Sequence, residues 1–252
     1  MKMNTAERKT YQRDCFLGAL GALLMLVGDL CLSIIPSSPT DSGLFVREAY
    51  FNGSFDTWRL PLLLATGLCG MALGFFTVRV FYTQIKPQYR RTRKAVLIGG
   101  VVYLSSAGAI HFLIGSLADW TGRLAPLLGR EETEALVQAQ YSRLVPAMLI
   151  AYGGMLLFIL GNAFAVLTKK TVMPRSMFAF HLLIWELIFV LIPDIRQLLG
   201  AQISTWDFIL SQGSGNGALF IWMLANAVWA KKNLRASESN SESNKERKND
   251  EG

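Results

Sequence analysis

Long apolar runs, separated by gaps that are basic in alternation along the chain, constrain this sequence more than any other feature. A helix of about 20 apolar residues crosses the ~30 Å hydrocarbon core of a bilayer. Inside that core every backbone polar group must be bonded within the protein, which favours helices. Six runs meet or approach the required length, at residues 16–35, 60–85, 95–117, 145–167, 177–192 and 211–230. The last two hold only about fifteen strongly apolar residues each, so five full spans with one re-entrant segment is the competing arrangement. The fold class that follows is an all-α integral membrane protein with about six transmembrane helices in one bundle.

The gaps set the orientation. Lys2, Arg8, Lys9 and Arg13 precede the first run. Lys86, Arg90, Arg91, Arg93 and Lys94 fill the second gap, Lys169, Lys170 and Arg175 the fourth, and Lys231, Lys232 and Arg235 close the last run. The first, third and fifth gaps carry Asp41, Glu48, Asp56, Asp119, Glu131, Glu132, Glu134, Asp194 and Asp207, with some arginine, Arg47 included, but no lysine. The positive-inside rule then predicts both termini on the cytoplasmic side, which requires an even number of spans. The net charge of +7 resides largely in these flanks, so it is a topology signal and not a nucleic-acid footprint. Trp58, Trp120 and Trp229 fall near span ends, where interfacial aromatics sit.

The domain reading is a cytoplasmic segment over 1–15, a transmembrane domain over 16–235 and a disordered cytoplasmic tail over 236–252, where no apolar side chain follows Ala236. The first run carries Asp29 and lacks a small-x-small cleavage site before Pro36, so it reads as a retained span, not a signal peptide. Residues 131–144 read as a separate short helix at the interface, and the glycine-rich 213–217 as a flexible connection. Cys15, Cys31 and Cys69 are too scattered for a disulfide framework and read as buried apolar groups. Gly70 and Gly74 form a small-xxx-small pair that lets helices approach closely in lipid.

Polar groups inside the runs are costly, ~3 kcal/mol for a central Asp or Lys, and they face the bundle interior. At ~1.5 Å rise per residue, Asp29 lies roughly 20 Å and His111 roughly 24 Å from the cytoplasmic ends of their spans. These two form the candidate polar site at the outer level. Asn162 and Asn226 fall near the inner ends of their spans, His181 about one turn in, and Glu186 near mid-depth. Arg79 is close enough to the inner surface to snorkel. A carboxylate beside an imidazole can bind a cation or relay a proton, whereas Asn162 and Asn226 read as interhelical hydrogen-bonding groups. A zinc site needs three or four ligands around one point, and two histidines this far apart give no metal site. The chain has no Gly-x-Ser-x-Gly elbow and no phosphate-binding Gly-x-x-x-x-Gly-Lys. No catalytic residue and no cofactor is therefore assigned.

Gly28-Asp29 late in the first run, the polar loop ending in Trp58-Arg59-Leu60-Pro61, and His111 late in the third run resemble an uncharacterised bacterial multi-span membrane family of unknown function. The resemblance covers most of residues 16–235. It implies a multi-pass protein of the bacterial inner membrane and supplies no catalytic assignment. The functional expectation is binding or transport of a small molecule, lipid or ion through polar groups in the bundle, with the lipid bilayer as surroundings and no nucleic-acid partner. The alternatives are an intramembrane enzyme acting on a lipid, with Asp29 and His111 as acid and base, or a structural or assembly protein with no ligand.

Overall fold

The computed structural model describes residues 4–38, 41, 47–202 and 204–250, with side chains through Asn233. The described residues form helices and no strand. In chain order these are α1 (Thr5–Ser33), α2 (Glu48–Phe51), α3 (Arg59–Gln84), α4 (Arg90–Leu128), α5 (Arg130–Leu167), a 3-10 turn (Arg175–Phe180), α6 (Leu182–Leu198) and α7 (Thr205–Asp250). Five helical stretches are long and apolar enough to cross a membrane: α1, α3, α4, α5 and the stretch Arg175–Leu198.

Local chemistry sets the helix ends. Asn4 starts α1 with a capping box: its side chain accepts from the Glu7 N–H at 2.8 Å, and the Glu7 carboxylate accepts from the Asn4 N–H at 2.8 Å. Gly129, at φ 86°, takes the left-handed conformation that turns α4 into α5, where a Cβ would be strained. His181 caps α6 by accepting from the Leu183 N–H at 3.1 Å.

α1 is the central helix. Its apolar window is 56% buried, against 17% for the Arg175–Leu198 stretch, which lies at the periphery. α1 packs between α3 and α7, α4 on α3 and α5, and α6 on α7. Glycines set the two tightest crossings. A Cβ on Gly21 would lie 2.8 Å from the Gly70 carbonyl oxygen and 2.9 Å from the Gly74 nitrogen, so α1 and α3 touch backbone to backbone. A Cβ on Gly99 would lie 2.7 Å from the Phe158 nitrogen and 2.8 Å from the Gly154 carbonyl oxygen, which does the same for α4 and α5. The outward faces are apolar: Leu68, Leu149 and Ile150 are each at least 60% exposed, as side chains facing lipid would be.

Several boundaries differ from the sequence expectation. The segment 131–144 is not a separate helix. It is the first part of α5, which continues through Pro146. α4 and α5, at 39 and 38 residues, are therefore each about 57 Å long and overshoot a ~30 Å hydrocarbon core. Their hairpin at Gly129 carries the excess. Residues 213–217 are not a loop but part of α7. Their glycines make room for neighbours: a Cβ on Gly213 would meet Leu26 Cδ1 at 2.7 Å, and one on Gly217 would meet the Phe189 ring at 3.3 Å. The backbone of α7 is helical to Asp250, beyond the tail boundary expected at Ala236, and no proline or glycine interrupts it after Gly217. Cys15 and Cys31 are buried as expected, but Cys69 is exposed on the outer face of α3.

Candidate functional site

The helices alternate in direction, so their charged ends collect at two poles of the bundle. The N-terminus of α1, the α3–α4 turn and the segment after α5 make a basic pole. The C-terminus of α1, α2, the Gly129 hairpin and the α6–α7 connection make an acidic one.

The last turns of α1 are fixed from outside the helix. Arg47, fully buried, donates to the carbonyls of Leu32 at 3.1 Å, Ser33 at 3.3 Å and Ile35 at 3.0 Å. These are acceptors left orphaned at a helix C-terminus. The Arg47 Nε lies 3.5 Å from Asp41 Oδ2, and its guanidinium sits 3.9 Å over the Phe208 ring of α7. Asp41 in turn accepts from the backbone N–H groups of Ser38 and Glu48. Arg59 adds a bond to the Cys31 carbonyl at 3.0 Å, and Thr205 one to Ile35 at 3.2 Å. Burial pushes the neighbouring Tyr50 phenol up to about 12, against the opposing pull of the Arg47 cation, so it stays neutral. Asp41 and Arg59 were named from sequence, but only for charge and resemblance, and Arg47 was not singled out; the available signal was two arginines within a gap that carries three acidic residues.

One turn below the clamp, Asp29 and His111 meet. Asp29 Oδ1 lies 3.4 Å from His111 Nδ1, and Asp29 Oδ2 accepts from Asn216 Nδ2 at 2.7 Å. Three helices, α1, α4 and α7, thus converge on one buried carboxylate. Beside it opens a cavity of about 450 Å³, whose wall includes Asp29, His111, Glu186, Asn216, Tyr103 and Tyr152. Among the described residues no lysine or arginine lines it. Glu186, expected at a different level from Asp29 and His111, belongs to this cavity.

That difference has a structural cause. The chain leaves α5, forms an isolated antiparallel bridge from Thr171 to Ile85, and then enters the bundle. Met173, His181 and Leu182 are buried, and the His181 ring lies 4.8 Å from that of Trp222. Trp222 is roughly 16 Å along α7 from Asn233, whose carbonyl accepts from Arg8 at the basic pole. α6 therefore begins deep, not at the surface, and Glu186 rises to the level of Gly215, where a Cβ would lie 3.8 Å from its Oε1.

The remaining candidates sit lower: His181 and Asn162 are bonded to each other, and Asn226 is bonded elsewhere. His181 Nε2 lies 3.0 Å from Asn162 Oδ1, and its Nδ1 is spent on the α6 cap, so Nε2 carries the proton and donates. Asn226 Oδ1 accepts from Tyr11 at 2.6 Å, while its Nδ2 donates to the Trp222 carbonyl at 2.7 Å. The Asn162–His181 and Tyr11–Asn226 bonds tie helices together, while Asn162 Nδ2 is buried without a partner among the described residues. Arg79 pairs with the buried Asp14 at 3.1 Å instead of standing alone. Among the described residues no three His, Cys, Asp or Glu side chains gather as a metal site would need.

The cavity also bears on chemistry. Ser211 and Ser214 line it, yet their hydroxyls donate to the carbonyls of Phe208 at 3.3 Å and Ser211 at 3.0 Å, within their own helix. Neither is bonded to His111, so no serine nucleophile is assembled beside the Asp–His pair.

A family model described as a family of unknown function (DUF6796) matches residues 1–226, and the chain belongs to that family. No curated protein and no solved structure matches.

Proposed function

We propose that this member of a family without an assigned activity is a six-span membrane protein, with both termini in the cytoplasm, that binds a small polar ligand in the Asp29–His111–Glu186–Asn216 cavity. The observation that carries the binding reading is the cavity itself. Four helices each contribute a polar group to one space of about 450 Å³, within the size range of small-molecule sites. A purely structural Asp–His contact between spans would be packed round with apolar side chains instead. Transport is the natural use of such a site in a bundle whose polar groups lie between helices.

The sixth span is α7. From Thr205 to Asn233 it runs antiparallel beside α1, from the Ile35 carbonyl at the acidic pole to Arg8 at the basic pole. It falls short of the other spans in hydropathy because its polar residues, Ser214, Asn216 and Asn226, are buried and face the interior. The basic pole on the cytoplasmic side follows from the Lys and Arg distribution. A reporter active only in the cytoplasm should therefore work when fused at either end. Activity at one terminus alone would refute the even span count.

The binding reading is tested by thermal unfolding of the purified protein against a panel of small amines, carboxylates, polyols and phosphates. At least one class should raise the midpoint of the wild-type protein and leave Asp29→Asn unmoved. A flat panel, or equal shifts in both proteins, would overturn it. A second reading, acid–base chemistry on a lipid, draws on one observation: Asp29 holds Nδ1 of His111, leaving Nε2 for a substrate. Lipid turnover that His111→Gln abolishes would favour it, and intact lipid after incubation would remove it.

A further inference from the structure

We infer that the ligand of this cavity is an ammonium, the cation of a primary amine, carried by a free small molecule or by an ethanolamine lipid headgroup. The inference rests on the binding reading above and adds the ligand's chemistry. Charge comes first. The Asp29 carboxylate already faces His111 and Asn216, and both its oxygens are engaged. Glu186, from α6, lines the cavity with no hydrogen bond or ion pair among the described residues. Among the described residues no lysine or arginine lies in the wall, so Glu186 has no side-chain cation beside it there.

Hydrogen-bond accounting points the same way. Asn216 is 6% exposed, and its Nδ2 is spent on Asp29, while its Oδ1 is buried with no donor among the described residues. Among the described residues of the wall it is the one buried side-chain atom without a partner, and it is an acceptor. A buried acceptor left unmet costs about 1–3 kcal/mol, so a donor-bearing ligand gains by reaching it. An ammonium offers three donors and no acceptor, which suits Glu186 and Asn216 Oδ1 together. Tyr103 and Tyr152 supply aromatic surface, to which cations are attracted. A bare metal ion fits less well: the space is far larger than one ion, and the described residues provide no cluster of three acidic, Cys or His ligands. A phosphate or carboxylate would meet two carboxyl groups and no fixed cation except a protonated His111.

The test uses the full chain in nanodiscs of phosphatidylglycerol, which has no amine. Ethanolamine, ethylene glycol and glycolate, matched in size and differing in charge, are titrated at constant ionic strength while thermal unfolding is followed. Ethanolamine should raise the midpoint, and the neutral and anionic probes should not. Glu186→Gln, close to isosteric, should weaken ethanolamine binding at least tenfold, with its own unliganded midpoint checked against wild type. In a second set of discs phosphatidylethanolamine replaces phosphatidylglycerol. If the lipid headgroup is the occupant, these discs stabilise wild type but not Glu186→Gln, and added ethanolamine gives no further shift. If the occupant is a free amine, the ethanolamine response is the same in both discs. Equal response to ethylene glycol or glycolate overturns the ammonium and leaves the binding reading standing. If no class in the wider panel acts either, both fall. The three-probe comparison on wild type needs no variant, so a folding defect in Glu186→Gln cannot obscure the outcome.

Discussion

Alanine in place of Arg47 is expected to destabilise the protein by about 3–5 kcal/mol, the range for breaking a buried ion pair by removing one partner. The side chain is fully buried, and three losses coincide. The carbonyls of Leu32, Ser33 and Ile35 lose their donors, Asp41 is left as a buried carboxylate without its cation, and the Phe208 ring loses the guanidinium stacked on it. Arg47→Lys should fall between wild type and alanine, because an ammonium keeps the charge and cannot reach three carbonyls in the plane of a fork. Adding Asp41→Asn to Arg47→Ala should recover part of the loss, since it removes the uncompensated charge. Thermal or denaturant unfolding of the four proteins in one detergent reads this out. A loss within about 0.5 kcal/mol, the scale of a surface substitution, would show that the clamp contributes nothing. The consequence extends to the site. Asp29 lies one turn before Ser33, whose hydroxyl is 2.7 Å from the Asp29 carbonyl and 2.8 Å from Gln212. Releasing the end of α1 should therefore also weaken any ligand response that depends on Asp29.

The sequence was most legible where a helix could be counted from a basic end. Asp29 and His111 came out at similar depth on two different spans, and they are in contact. Both α1 and α4 rise unbroken from the basic pole, so residue number converts to height. The same arithmetic misplaced His181 and Glu186, because the segment after α5 turns into the bundle before α6 starts. The cues present in the sequence were Pro174 and a histidine placed to cap the next helix. Neither of them reports depth. Asn216 was overlooked because glycine on both sides reads as a flexible loop, whereas in a membrane bundle glycine within a helix marks close approach. Arg47 was not singled out, since nothing in one sequence distinguishes an arginine in water from one folded onto a helix end.

The other large effect is expected at Gly99, and it separates two meanings of glycine in this fold. In Gly99→Ala the new Cβ would stand 2.7 Å from the Phe158 nitrogen and 2.8 Å from the Gly154 carbonyl oxygen, both backbone atoms that no rotamer change can move. α4 and α5 must separate to admit it. In lipid that separation is costly, because helices associate through packing and not through burial from water. A loss of about 1–3 kcal/mol is expected, the usual range for overpacking, with Gly99→Leu worse. Gly153 is next to Gly154 on α5, yet a Cβ there meets nothing within 4 Å. Gly153→Ala should be neutral or stabilise by up to ~1 kcal/mol through helix propensity. Unfolding midpoints for the two alanine variants should therefore move in opposite directions or differ by more than ~1 kcal/mol; equal midpoints would mean that the α4–α5 crossing is not as close as described. The pair also probes the cavity, since α4 brings Tyr103 and His111 to its wall and α5 brings Tyr152. Parting the two helices at Gly99 displaces those side chains relative to one another and leaves Asp29 on α1 in place. A ligand held between Asp29 and the α4–α5 wall should then bind more weakly to Gly99→Ala at temperatures where the variant is still folded, while Gly153→Ala binds as wild type.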